Sequence, residues 1–546
     1  MRLSSNGVSR LTDMVVSCSL CNRRPKRGPT LGQRHAVVNV SAGTTRNPPT
    51  GLNLLGERGA CAQRDVRTPP TSVQCAVMQQ GRRPSTAMVY RRRRVALGGI
   101  VVGLLAAVTF VAVGSPGAPD SGAPTVLTSQ APTPRLPELV EPSPVLAADM
   151  GAEPVPDPAV LADVLAPALA DPRLGGRVNG QIVDVATGEV LFEQAADRAV
   201  VPASTTKLAT ALAVEISVEP GSRLTTTVRS GPNPGEVVLV GGGDPTLSSA
   251  PGGNVYPGAA TLADLAAQVS VAMGAPITAV LVDSALFTGP TTGPGWGSGD
   301  APSRYAAPIT ATMVDAGRFG PEDDGVRSGA PDLAAGRALA AALGVPDAPV
   351  SAGTAPPGAR LLGEVSSAPV ERLIEQMLSL SDNVLAEALA RQVALAAGEP
   401  ASFDGAAAAV KSTLERAGFD LSGAVLVDGS GLSVVNRLSS ALVSDILLAA
   451  AGDPQSSGRA LLAGLPVAAY DGTLGERFDE SPAGGVVRAK TGTLNGVSGL
   501  AGVVQTTDGR LLVFVLLADQ VPLGGRFPAE AALDEVATAL AGCGCQ

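Results

Sequence analysis

The sequence predicts an α+β fold: an antiparallel sheet with flanking helices, interrupted by a large insertion. Two patterns predict the sheet. Residues 177–194 read as a strand, a turn at 186–189 and a return strand. Residues 486–489, 497–505 and 511–518 read as consecutive antiparallel strands. The opening hairpin and these closing strands can pair into one sheet. A third observation predicts the insertion: the stretch 230–364 carries helices and strands of its own. The sheet-forming domain is therefore expected over 159–229 and 365–546.

Each element follows from local pattern. Residues 160–169 space their apolar side chains as an amphipathic helix does. After the hairpin, a loop ending at Pro202 leads into a helix over 204–216. Inside the insertion come a strand at 236–240, a helix at 261–273, a strand at 277–282 and a helix at 332–343. Residues 370–397 read as helical, broken at Ser381-Asp382-Asn383, and a helix over 403–417 follows. Thr507-Asp508-Gly509 makes the tight turn between the last two strands. A helix over 528–540 closes the domain. The run Gly241-Gly242-Gly243-Asp244 lacks the Gly-Lys-Ser/Thr of a phosphate loop and reads as a turn.

The chain has 546 residues and a net charge of −9. That charge is unevenly spread. Residues 1–94 hold 17 Lys/Arg against three acids, so the remainder is strongly acidic. The split marks an appended basic segment, and the acidic part offers no stripe for nucleic acid. Residues 1–87 show no periodicity and are expected to be disordered. Translation starting at Met88 is an alternative, since Arg91, Arg92, Arg93 and Arg94 precede an apolar run. That run, 95–113, has no charge and no proline, and it can just cross a ~30 Å hydrocarbon core. Residues 88–114 are therefore expected to be a cytoplasmic arginine cluster and one transmembrane helix, with the rest of the chain outside. Cleavage after Gly114 stays open, as does a buried helix of a soluble protein. Residues 115–158, dense in Pro and Ala, read as an extended spacer.

No cysteine lies between Cys75 and Cys543, so disulfides cannot staple the domain interior. Cys18, Cys21, Cys61 and Cys75 lack the regular spacing of a zinc site. Cys543 and Cys545 read as a free or incidentally oxidised tail.

The sole histidine, His35, lies in the upstream segment. A hydrolase here can use neither a Ser-His-Asp triad, nor a Cys-His pair, nor histidine-ligated zinc. Ser204-x-x-Lys207 supplies another base. On a helix the two side chains share a face one turn apart. Ser204 would sit at the positive end of the dipole, and a part-buried Lys207 can lose its proton and act as base. Read alone, Ser204 is as well explained as a helix cap, Ser381-Asp382-Asn383 as another, and Lys490-Thr491-Gly492 as a surface string. Together they describe serine acyl transfer. Ser381 can relay a proton and Asn383 can hold a substrate amide. Lys490 and Thr491, on an edge strand, suit an anionic substrate end, and Gly492 lets the substrate backbone approach.

The three motifs, in this order, resemble the set in penicillin-binding proteins and class A β-lactamases. Further strings make the chain similar to the class C low-molecular-mass penicillin-binding proteins. This is the D-alanyl-D-alanine carboxypeptidase/endopeptidase family of peptidase clan SE. The strings are Val240-Gly-Gly-Gly-Asp-Pro-Thr-Leu247, Val427-Asp-Gly-Ser-Gly-Leu-Ser433, Asn436-Arg-Leu-Ser439 and Asp471-Gly-Thr-Leu474. The resemblance covers about residues 155–540. It implies a penicillin-binding-protein/β-lactamase-like transpeptidase domain with the insertion between the first and second motifs. It implies a serine DD-peptidase acting on peptidoglycan stem peptides, with β-lactams as covalent inhibitors and no metal or organic cofactor; the run 95–113 and its arginine flank, outside the resemblance, make that enzyme membrane-anchored and extracytoplasmic. Ser204 would attack the carbonyl between two D-alanines and Lys207 would take its proton. Ser381 would pass a proton to the leaving amine and Asn383 would orient the acyl donor. Lys490 would supply positive potential, and Thr491 with Thr493 would receive the terminal carboxylate. The backbone N–H groups of Ser204 and Thr493 would form the oxyanion hole.

One departure stands out. Similar sequences often place a basic residue just before Asn436, where this chain has Val434 and Val435. Asp300 and Tyr305 remain candidates for the amine end of a diamino-acid side chain, or else a solvated loop. A β-lactamase or esterase on the same scaffold, and a catalytically idle cell-wall-binding protein, are the competing readings.

Overall fold

The computed structural model describes residues 153–250, 255–320, 325–452 and 458–545. The expected basic extension, the arginine cluster with its apolar run, and the spacer up to residue 152 lie outside the described residues. Among the described residues no helix is long and apolar enough to cross a membrane.

The main sheet joins the two ends of the domain. Its strands are β1 (Asn179–Asp184), β2 (Val190–Gln194), β8 (Val487–Leu494), β9 (Val497–Gln505) and β10 (Leu511–Ala518). They lie in the order β2-β1-β10-β9-β8 and every pairing is antiparallel. β1 runs beside β10 with Asn179 opposite Leu517. The continuous apolar run of β10 fits a strand covered on both faces. Val513, Val515 and Leu517 enter one core cluster while Leu512, Phe514 and Leu516 enter another, as period-2 alternation requires.

Helices fill both layers. α1 (Pro158–Leu169) and, at the far end of the chain, α10 (Arg526–Ala541) cover one face. Asp157 caps α1 by accepting the N–H groups of Ala159 and Val160. The other face carries α2 (Thr206–Ser217), α5 (Val370–Ser379), α6 (Asn383–Ala397), α7 (Phe403–Arg416), α8 (Ser440–Ala451) and α9 (Arg459–Gly464). From Thr206 to Val214 every residue of α2 is buried, so it forms the centre of that layer.

A second sheet stands apart. It holds β3 (Thr225–Ser230), β4 (Glu236–Val240), β5 (Ala279–Asp283), β6 (Val350–Ala352) and β7 (Leu361–Ser366) in the order β6-β5-β4-β3-β7. β4, β5 and β6 are parallel, linked through α3 (Leu262–Met273) and α4 (Pro331–Ala342). This unit has its own core of Val228, Leu239, Leu265, Val280 and Leu339. β3 and β7 carry the sheet past the expected limits of 230 and 364. Neither was anticipated, because Thr225–Ser230 offers only one large apolar side chain, Val228. α8 and α9 were also not anticipated.

The C-terminal cysteines are not a loose tail. Cys543 and Cys545 are disulfide-paired and buried against α1 and α10. The Cys545 carbonyl accepts the N–H of Asp157, which ties the chain end to the start of α1.

Candidate active site

Ser204 sits on a 3₁₀ turn, Ala203–Thr205, immediately ahead of α2. The continuous helix expected from 204 therefore begins with a tighter turn. Ala203 holds φ 50, a left-handed conformation that costs a residue with a Cβ. Thr205 and Thr206 donate their hydroxyls to the carbonyls of Pro202 and Ala203, bracing the turn. Two glycines press on it from outside. A Cβ at Gly431 would lie 1.9 Å from the Ala203 carbonyl oxygen, and one at Gly492 would lie 2.9 Å from that of Pro202. Gly492 thus allows close approach between β8 and the Ser204 turn. Ser204 caps nothing, since no side chain caps either helical segment there.

Lys207 is fully buried beside it. Its Nζ lies 3.0 Å from Ser204 Oγ, 2.7 Å from Asn383 Oδ1 and 2.6 Å from the Ser430 carbonyl. Asn383 Oδ1 and the carbonyl only accept. They take two N–H groups and leave the third position of the amine facing Ser204. Burial pulls the Lys207 pKa down to about 8, partly offset by the charges of Asp428, Asp382 and Glu387. The carbonyl is fixed from behind. Glu387 Oε1 accepts the N–H groups of Gly429 and Ser430 at 3.0 and 2.8 Å. Asp428 accepts from Gly431, Ser433, Asn436 and Trp296. Neither acid was singled out in the sequence, although both lie in or beside quoted strings.

The break between α5 and α6 presents the second motif. Ser381 adopts φ 54. Asp382, not Ser381, caps α6 by accepting the Leu385 N–H. Asn383 opens the helix, giving Nδ2 to the Tyr305 carbonyl at 3.1 Å. The third motif lies within β8, an edge strand that runs on beyond residue 489. Lys490 Nζ donates to Ser381 Oγ at 2.8 Å and to the Thr491 carbonyl at 2.9 Å. Burial, then the Lys207 charge, holds the Lys490 amine well below its usual range. Thr491 Oγ1 donates to Thr473 Oγ1 at 2.9 Å, from the Asp471-Gly-Thr-Leu474 string.

The insertion reaches into this site. Tyr256, Arg318 and Arg327 all converge on Asp382 Oδ2, at 2.8, 2.9 and 2.8 Å. Burial would raise the Asp382 carboxyl, but the charges of Arg327 and Arg318 outweigh it and hold it well below the carboxylate range. Asp382→Ala should leave two buried guanidinium groups without their carboxylate. The expected loss is about 3–5 kcal/mol, read as a lowered denaturation midpoint. No local pattern marks these three residues in the sequence.

Ser204, Ser381, Asn383, Thr491 and Thr493 open on one cleft of about 570 Å³, a size suited to a peptide end. Asp300 and Tyr305 line the same cleft. Asp300 Oδ2 accepts the Gly297 N–H, so its carboxylate also shapes its own loop. The far end is charged: Thr493 Oγ1 donates to Glu530 Oε1 at 3.0 Å, and Arg526 Nε donates to the same oxygen at 3.0 Å. Val434 and Val435 are exposed, with no cation in their place.

The sequence profile of the D-Ala-D-Ala carboxypeptidase 3 (S13) family matches residues 161–329 and 320–540. The chain belongs to this family. It is 43% identical to the carboxypeptidase DacB of Mycolicibacterium smegmatis over 466 residues, 83% of this chain and 98% of that protein. It is also 43% identical to a carboxypeptidase of Mycobacterium tuberculosis over 425 residues, 76% of this chain and 90% of that protein. The fold is similar to penicillin-binding protein 4 (dacB) of Haemophilus influenzae, with TM-score 0.59 and 21% identity, covering 69% of this chain and 98% of that one. A structure of that protein complexed with a β-lactam matches with TM-score 0.54. Membership makes the chain a serine-type D-Ala-D-Ala carboxypeptidase on an α+β, penicillin-binding-protein-like scaffold, as the motifs implied.

Proposed function

We propose that Ser204 is the nucleophile of a DD-peptidase that cleaves the terminal D-Ala-D-Ala bond of peptidoglycan stem peptides, with Lys207 as its base. The observation that carries this is the pairing at Lys207. Two obligate acceptors, Asn383 Oδ1 and the Ser430 carbonyl, use two N–H groups of the neutral amine. Its lone pair then points at the Ser204 hydroxyl, 3.0 Å away. The amine takes that proton as Oγ bonds to the carbonyl carbon. The backbone N–H groups of Ser204 and Thr493 receive the developing oxyanion. Ser381, bonded to Lys490, passes a proton to the departing amine. Thr491 and Thr493 receive the terminal carboxylate under the positive potential of Lys490. Water then releases the acyl group. Asn383 orients the acyl donor while also fixing Lys207, and Asp300 and Tyr305 face the donor's side chain. The full chain given a peptide ending in D-Ala-D-Ala should release free D-alanine, detected by chromatography. Absence of release, with penicillin still attaching to Ser204, would sink this reading.

We further propose that residues 91–94 and 95–113 anchor the enzyme, with its catalytic domain outside the membrane. The match to the M. smegmatis relative spans 83% of this chain, so it reaches upstream of Glu153. Protease added to intact spheroplasts should digest the domain around Ser204. A protected domain would overturn the orientation.

A further inference from the structure

We propose that Glu387 is a positioning residue of this reaction: it grips the loop 428–431 from behind and governs how readily Lys207 takes the Ser204 proton. The inference rests on the reading above in which Lys207 is the base. Three successive N–H groups of that loop point at carboxylates. Those of Gly429 and Ser430 donate to Glu387 Oε1 at 3.0 and 2.8 Å, and that of Gly431 donates to Asp428 Oδ1 at 2.9 Å. The carbonyls face the other way, onto α2. That of Gly429 accepts the Thr210 hydroxyl at 2.7 Å, and that of Ser430 accepts Lys207 Nζ at 2.6 Å. Acids thus hold the positive ends of these peptides and polarise the carbonyls presented to α2. The loop and α6 meet at backbone distance, since a Cβ at Gly429 would lie 2.6 Å from that of Ala390.

Asn383, Glu387 and Arg391 follow one another at helical spacing on α6. Asn383 meets Lys207, and Arg391 Nη1 lies 3.4 Å from Glu387 Oε2. Glu387 therefore stands between the two cations, and its charge is the nearer one to Lys207. Both members of the Glu387–Arg391 pair are sealed from solvent, with the guanidinium 4.2 Å from the ring centre of Phe403 and 5.4 Å from that of Phe287. The other charges around Lys207 are Asp428 on the loop, Asp382 at the α5–α6 break and Lys490 on β8. The acids favour the ammonium form of Lys207, and Lys490 repels it. Burial, then the Asp428 charge, pushes the Glu387 carboxyl up to about 7, while Arg391 and the two N–H groups pull it down. Glu387 is thus mostly ionised where Lys207 titrates, near 8. Losing its charge makes the ammonium less favourable, so the free amine persists to lower pH and is a weaker base.

The test is the rate of acylation by a fluorescent penicillin, followed on the full chain from about pH 5.5 to about 9.5. Glu387→Gln keeps an oxygen for both N–H groups and removes the charge. Its acid limb should lie at least about half a pH unit below that of wild type, with a plateau lowered severalfold because the base is weaker. That variant strands Arg391, so a second one combines Glu387→Gln with Arg391→Met and removes the buried pair together. Its limb should move the same way by a smaller amount, because the nearer charge dominates. Thr210→Val takes an anchor from the same loop without touching a charge. It should slow acylation at every pH and leave the limb in place. A limb within about 0.2 of a pH unit of wild type in both glutamine variants, an upward move, or an equal shift in Thr210→Val would overturn the proposal. A wild-type profile with no limb near 8 would instead remove Lys207 as the base.

Discussion

Ser204→Ala should eliminate the penicillin adduct and reduce D-alanine release by at least about four orders of magnitude. The neighbouring hydroxyls of the turn are committed elsewhere. The turn is shaped so that this one side chain stands against the Lys207 amine, with Ala203 held at φ 50 and Gly431 and Gly492 packed against it. Thr205 and Thr206, the only hydroxyls between Ser204 and Lys207, give their protons to the carbonyls of Pro202 and Ala203. The substitution removes one oxygen from a half-buried position, so the thermal midpoint should stay within a few degrees of wild type. Intact-mass measurement after incubation with penicillin decides the matter. An adduct persisting on the alanine variant would place the nucleophile elsewhere.

Lys207 carries the second large effect. Its pKa of about 8, set chiefly by burial, means that the amine is mostly protonated at pH 6 and mostly free at pH 9. A base must be unprotonated to accept the Ser204 proton. Acylation should therefore slow about tenfold per pH unit below 8 and level off above it. Lys207→Arg keeps a cation in the same place but cannot release its proton in this range. It should lose about 10²–10⁴-fold in acylation rate and lose the acid limb as well. Stopped-flow acylation with a fluorescent penicillin between pH 5.5 and 9.5 would show both. An unchanged limb in the arginine variant would mean that another group titrates there.

Much of this architecture was legible in the sequence because the signals are local. The helix-to-helix break at Ser381-Asp382-Asn383, the helical spacing of α3 and the apolar run of β10 each announce themselves within a few residues. The three strings that meet in the cleft were legible because their residue types are chemically restrictive once histidine is excluded. What escaped is non-local. Arg318 and Arg327 sit in a Gly/Asp-rich loop and acquire meaning only on meeting Asp382 in space. Glu387 looks like any helical glutamate, yet it is fully buried and pushed up to about 7 by desolvation while fixing the Ser430 loop. A glycine in an edge strand marks close approach, and only the fold shows the Ser204 turn lying against Gly492. The Cys543–Cys545 segment reads as a tail in sequence because only the fold reveals α1 and α10 closing over it.

The pairing of β1 with β10 also dictates an order of assembly. Asn179 cannot find its partner Leu517 until almost the whole chain is available. The strands of the second sheet, by contrast, find one another within 225–366. That unit can form while the opening hairpin still waits with an unsatisfied edge, since distant pairings are the slow ones. The waiting edge includes Ile182 and Val183, both buried in the finished protein. An incomplete chain is therefore exposed to aggregation through that edge. Lys490 lies on β8, so its contact with Ser381 is among the last features to appear. A chain cut short before β10 would hold Ser204 and every strand of the second sheet, but not the strand beside which β1 must lie.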